Sequence, residues 1–422
     1  MHEASILASR NVLRPSPRGL KAWFARRLVG LMPFAFRLMR RFKPIAKMGS
    51  LYIATRHDDV RELFATDTAF AVPYKAKLDV ITGGQPFFLG MGDTPDYRSG
   101  LKAMQDVVRA DDLPVLAQGA EQRAEALVQA AGGRIEVVGL VRDVTFGLLG
   151  DYFGVPEPAA GSLQMWATRL FEFQFADSGD SPELRAQVDV IAPAMRAHVA
   201  AEIERRRSAG GAGGAWGDGG KDDVLARCLA LQAASEPGYS DGEIRTALVC
   251  MMVGGPPQPP MVVPQALEQL LRRPAALSGA QAAARDGGDE ALRGYVWEAM
   301  RFDPLAPGLP RVATRTWTLA QGTKRAREIP AGATVLAAFA SAMMDERRVP
   351  DPHTFDPRRT PHQYIHFGHR LHECFGRHIN GATLHRMLKP LLRREGLRRA
   401  HGREGRLSKN GPFAERLVVE WG

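Results

Sequence analysis

Residues 364–378 read Y-I-H-F-G-H-R-L-H-E-C-F-G-R-H, and no other stretch of the chain restricts its fold so strongly. One cysteine, Cys374, stands in a short polar loop, and an apolar segment that can form a helix follows it. Gly368 and Gly376 let the backbone approach a ligand closely. Phe367 supplies an apolar wall, and the N-terminus of the following helix favours an anionic sulfur. This setting suits a thiolate that faces a metal while staying dry. Taken alone, Cys374 reads equally well as a packing residue. His369, His372, Cys374 and His378 also contain the donor types of a zinc site. Distant residues decide between these readings.

The loop resembles the heme-binding signature of the cytochrome P-450 family, F-G-x-G-x-H-x-C-x-G. Five of the six named residues match (Phe367, Gly368, His372, Cys374 and Gly376), and Arg370 stands where a second glycine is expected. Glu298-Ala-Met-Arg301 places an acid and a base on one helical face, and it resembles the family's E-x-x-R helix. Arg359, within F-D-P-R-R, matches the arginine that joins that pair. Arg311 falls where the family places an arginine for a heme propionate, a role its guanidinium suits. Upstream, M-G-D-T-P-D-Y-R-S-G-L-K looks like the family's entry to a helix near the heme, with Tyr97 replacing the usual histidine. Arg98, or Lys102 instead, is the corresponding candidate for a propionate contact.

The resemblance covers roughly residues 240–390 and more loosely 50–110. It implies one large heme domain over residues 1–422, mainly α with small β-sheets. The heme b (iron protoporphyrin IX) would lie between a long central helix and the helix after the cysteine. Cys374 would be the iron ligand. Segment 71–92, rich in glycine and proline, reads as a long loop with a short helix, and in the family this region roofs the substrate pocket.

The centre departs from the pattern. Ser240 and Glu243 have the spacing of a capping box, so a helix should start at Asp241 and, on the resemblance, run to Arg273. Its middle reads M-V-G-G-P-P-Q-P-P-M-V-V-P. Each internal proline costs about 3 kcal/mol in a helix, which predicts a kink or unwound turn over Gly254–Pro260. A plain loop between two helices is the alternative. The family usually carries an acid and an alcohol here that deliver protons for O–O cleavage. Aligning Gly254 and Gly255 with the family's glycine places Pro257 at the acid and Gln258 at the alcohol, and neither is a useful acid. Gly255 and Gln258 remain the candidate catalytic positions, Gln258 as a hydrogen-bonding partner for a substrate oxygen or an oxygen ligand.

At 422 residues with 56 Lys and Arg against 46 Asp and Glu, the net charge is +10. That balance suits an acidic protein, an anionic membrane or a nucleic acid, but no zinc finger or aromatic-interleaved basic motif supports nucleic acid. Three cysteines are too few for a disulfide framework, as in a reducing, cytoplasmic setting, and Cys228 and Cys250 read as core. No run of eighteen apolar residues exists. Lys21–Lys43 is apolar and basic; a helix packed on the body is the favoured reading, and one lying on a membrane surface the less favoured. Residues 208–223 form a glycine-rich flexible connection without a phosphate-loop pattern.

The first functional expectation is therefore an oxidoreductase of monooxygenase type. It would act on an apolar small molecule and be fed by a ferredoxin or flavoprotein reductase, with Arg370 and Arg377 as candidate docking cations. The second is peroxide-dependent chemistry, or an electron-independent rearrangement or dehydration of an oxygenated substrate. The third is a heme-binding sensor without turnover.

Overall fold

The computed structural model describes residues 3–15, 20–177, 179–210, 222–286 and 288–422. Of the glycine-rich connection, residues 211–221 lie outside the described residues. The chain divides into two compact units, one of Met1–Arg14, Tyr74–Gly132 and Glu136–Pro260, the other of Pro15–Pro73, Gly133–Ile135 and Met261–Gly422.

The first unit is helical. Helix Asp241–Gly254 packs against Pro182–Gly210, Leu163–Phe171 and Val137–Phe153. Val137–Phe153 is apolar on nearly every face, as a helix surrounded by others must be. Leu163–Phe171 runs into a wider π turn over Glu172–Ala176, so the helix changes its winding at Glu172. Segment 71–92 contains helix Lys75–Thr82, closed by Gly83 at φ +71°, and a 3-10 turn at Phe88–Gly90. Tyr97 is buried edge-on against Phe88, and its N–H donates to the Thr94 cap.

The second unit holds a five-stranded sheet. Its strands are β1 (Ile45–Met48), β2 (Leu51–Ala54), β3 (Phe70–Ala71), β4 (Leu309–Ala313) and β5 (Thr334–Ala337), in spatial order β1-β2-β5-β4-β3. Only β2 and β5 run parallel, Leu51 opposite Thr334 and Ala54 opposite Ala337. Val60, Leu63, Phe64, Phe70, Ile329, Val335 and Met343 form the core on this sheet. The basic helix Leu20–Phe42 packs Phe36 against Ile53 and Ala338. Mainly helical with small sheets, the molecule has the fold class its sequence implies.

Candidate functional site

The central helix breaks where its prolines demand. It is capped by Ser240, whose hydroxyl receives the Glu243 N–H while Glu243 accepts from the Ser240 N–H. It ends at Gly254, and a second helix begins at Pro259 and continues to Leu271. Prolines 256, 257, 259 and 260 cannot donate to the carbonyls four residues earlier. The Gln258 N–H turns to the Gly255 carbonyl at 3.3 Å, one residue short of the α-helical partner. Its side-chain amide then donates to the Gly254 carbonyl that its backbone has abandoned. The only side chain here able to donate thus completes the helix end. Gly255 leaves no room for a larger residue, since a Cβ would meet the Met251 carbonyl at 2.9 Å. Around Gly254 a Cβ would meet nothing within 4 Å.

In the other unit, the cysteine loop is folded on itself. The Cys374 N–H donates to the Phe367 carbonyl at 2.8 Å, and Glu373 N–H to the Arg370 carbonyl at 2.9 Å. Gly368 sits at φ +79°, with the His372 carbonyl 3.3 Å from where a Cβ would be. Arg370, in place of the second glycine, keeps the left-handed backbone a glycine would take, at φ +63°. The substitution therefore changed the residue and left the turn. The Gly376 N–H is directed at the Cys374 sulfur, and helix Arg377–Leu392 starts immediately after it. Burial pushes the Cys374 thiol up to about 11. Unaided it stays protonated at neutral pH, and a coordinated cation is what would make it a thiolate. Cys228 and Cys250 are buried among helices, as core cysteines should be.

Two further candidate residues, Arg311 and His372, belong to this neighbourhood. Arg311, on β4, is 4% exposed and stacks on Phe64 at 4.9 Å. Burial first, and the Arg311 charge second, push His372 down to about 4, so its ring is neutral at pH 7. Arg98 belongs to the other unit, where its guanidinium is 69% exposed and paired with Asp93 at 2.8 Å. Lys102 is likewise exposed and paired with Asp106 at 2.5 Å. Neither is held in a buried position, because the helix Pro95–Val107 turns both toward solvent and a nearby acid.

Beneath the loop lies a buried polar hub. The Glu298 carboxylate, with no exposed surface, receives Arg301 at 2.6 and 2.9 Å, Arg359 at 3.2 Å, the Tyr364 hydroxyl at 3.1 Å and the Asp356 N–H at 3.0 Å. Burial, with the Glu298 charge behind it, moves the Tyr364 phenol far above its ordinary value, so it remains a donor. Trp297, one residue before Glu298, was not singled out by the sequence. Its ring packs on Tyr364, His366 and Phe367 at 5.6–5.8 Å, and its carbonyl lies 3.0 Å from His366 Nε2. The helix Asp289–Phe302 therefore supports the loop through both a polar and an aromatic side chain.

This donor set fits a heme thiolate: one thiol with an N–H aimed at its sulfur, a buried arginine and a neutral histidine beside it. Zinc is not favoured, because no group of three or more His, Cys, Asp or Glu side chains converges among the described residues.

Comparison with known proteins agrees. The cytochrome P450 family model matches residues 290–410, which include the hub and the loop. A bifunctional dioxygenase–epoxy alcohol synthase of Fusarium oxysporum is 34% identical over 149 residues, covering 34% of this chain and 12% of that protein. Cyclomarin C epoxidase CymV of Salinispora arenicola is 25% identical over 229 residues, covering 54% of this chain and 52% of that one. The matched segments thus span between an eighth and about half of these curated relatives. The ligand-free structure of cytochrome P450 TbtJ1 superposes with a TM-score of 0.75 over 93% of this chain and 98% of that one, at 23% identity. The chain thus carries a segment that matches the cytochrome P450 family model across the cysteine loop, and it shares the cytochrome P450 fold along nearly its whole length.

Proposed function

We propose that the chain is a heme-thiolate oxidoreductase of monooxygenase type that oxidises an apolar small molecule, with Cys374 as the iron ligand. The observation that carries this reading is the Cys374 loop: a lone thiol, an N–H directed at its sulfur and a fully satisfied hub holding the loop in place. Heme, when bound, supplies oxygen chemistry that a thiolate ligand favours by pushing electron density toward O–O cleavage. Arg311 and His372 would hold propionate carboxylates, a buried cation and a neutral donor being suited to anionic oxygens. Trp297 and Phe367 would keep water from the sulfur. The names of two relatives support an oxygenase, the epoxidase CymV and the monooxygenase PikC of Streptomyces venezuelae. Arg377 pairs with Glu373 at 2.6 Å, and Arg370 is exposed in the cysteine loop; both would meet an acidic electron donor.

A second reading is favoured by the broken helix. Pro257 and Gln258 bring no acidic proton to the positions of the usual acid and alcohol, and the Gln258 amide already holds the Gly254 carbonyl. An apolar substrate that already carries its oxygen needs neither proton delivery nor an electron donor to rearrange. The segment that matches a protein named epoxy alcohol synthase supports this option. The test is to load the protein with heme and first record the reduced, carbon-monoxide-treated spectrum. A strongly red-shifted Soret band, lost in Cys374→Ser, is expected. Apolar substrates are then offered with a ferredoxin, reductase and NADPH, and their hydroperoxides are offered without any donor. Donor-dependent product supports the first reading, and donor-free conversion of hydroperoxides the second. With neither, a heme-binding sensor is what remains.

A further inference from the structure

The helix Leu20–Phe42 carries apolar side chains on the wrong side. Leu28 (68%), Phe34 (62%) and Phe42 (74%) are mostly exposed, as are Leu20 and Leu31, and Leu38 is exposed to a lesser degree. At 3.6 residues per turn these six positions fall within an arc of about 120°. The adjoining arc, which begins about 20° beyond Leu28, is the one that packs on the protein, through Met39, Met32 and Phe36. One helix thus has two apolar faces, and only one is used.

The charge around the unused face is one-sided. Between Glu3 and Asp58 the sequence contains no Asp or Glu and twelve Lys or Arg. Of these, Arg27, Arg37, Arg41, Lys43 and Lys47 are exposed on this helix and the strand after it. Arg27 falls within the apolar arc and Arg41 at its border. Arg40, on the inner side, is buried, bonds Ser341 at 2.9 Å and lies near Asp345 and Glu346, so the acids close to the helix belong to its packed face.

We propose that this face docks on an anionic lipid surface, with the helix lying in the plane of the interface. Leucines and phenylalanines would enter the boundary of headgroups and acyl chains, and the flanking arginines and lysines would meet lipid phosphates, their stems snorkelling outward. Charge complementarity selects this occupant. A second copy of the chain would oppose one acid-free cationic face to another, and like charges in apposition are unfavourable. A nucleic acid would use the cations and leave the apolar arc in water. No described helix is long and apolar enough to cross a membrane, so the contact is a surface one.

The test is co-sedimentation of the full-length, heme-loaded protein with vesicles of phosphatidylglycerol and phosphatidylcholine in equal parts, and with phosphatidylcholine alone. The anionic vesicles should bind the protein at least tenfold more tightly, as a rough bound. Added salt should weaken this binding without abolishing it. The variant Leu31→Gln/Phe34→Gln/Phe42→Gln, all at exposed positions, should lose at least about tenfold of the anionic-vesicle affinity while keeping its thermal midpoint and heme spectrum. Absence of vesicle binding overturns the proposal. So does anionic binding that the triple variant leaves intact, since that is adsorption by charge alone. A soluble dimer abolished by the same variant, without vesicle binding, also overturns it and assigns the face to self-association.

Discussion

Arg370→Gly should stabilise the protein, although it deletes a charged side chain. A non-glycine residue in the left-handed region costs roughly 1–2 kcal/mol, from the approach of its Cβ to the backbone carbonyl. Arg370 occupies that region at φ +63°, in an exposed turn. Against this, glycine loses about 0.4–1 kcal/mol through the greater freedom of the unfolded chain. The balance favours glycine by about 0.5–1 kcal/mol. With an unfolding entropy near 2.1 cal/mol/K per residue, 422 residues convert that gain to about 1 °C if the chain melts as one unit. Paired calorimetry or pulse proteolysis in urea can read such a difference. Arg370→Ala is the control, because it removes the guanidinium and keeps the Cβ, and it should stay near the parent. If alanine and glycine stabilise equally, charge repulsion in the loop is the cause and the backbone reasoning fails.

Other perturbations have equally definite outcomes. Glu298→Ala leaves the Arg301 and Arg359 guanidiniums buried without their shared counter-charge; it should cost about 3–5 kcal/mol and lower heme content by pyridine hemochrome, and full occupancy would contradict the hub's role. Gln258→Ala removes the amide that completes the helix end and should cost about 1 kcal/mol by urea denaturation; an unchanged midpoint with altered product ratios would assign Gln258 to chemistry instead. Burial holds His366 down to about 4, against about 6.5 when unfolded. The unfolded chain therefore takes up that proton first as pH falls. The stability tied to a neutral His366 is complete above about pH 6.5 and drains between there and pH 4. His366→Asn should flatten that limb of the pH–stability curve, and an unchanged slope would remove His366 as its source.

Features set by local spacing were legible before any coordinates. The Ser240–Glu243 box, the E-x-x-R face and the proline break depend on residues within one or two turns, and each stands where the sequence puts it. The glycine pattern of the cysteine loop was also readable, and even its exception at Arg370 preserved the turn. Long-range roles were not readable. Trp297 acquires its function from rings some seventy residues away, and nothing in the residues next to it marks it apart from its position beside Glu298. The Gln258 amide looked free to meet a ligand, because hydrogen-bonding capacity is visible in a sequence and its local competitor is not. Arg98 and Lys102 are similar: each found an acid four or five positions away. The basic helix was read as packed on the body, and it is, but periodicity did not reveal that a second apolar arc stays uncovered.

The five hydrogen bonds on Glu298 come from its own helix, from the 356–359 segment and from Tyr364 at the mouth of the cysteine loop. A carboxylate shared this way acts as a checkpoint in assembly, because no single segment can satisfy it and each is left with a stranded charge or donor until the others arrive. Maturation should then be ordered: during refolding, amide protection of residues 289–302 precedes or accompanies heme uptake. A chain that captured porphyrin first would have closed the loop without its keystone.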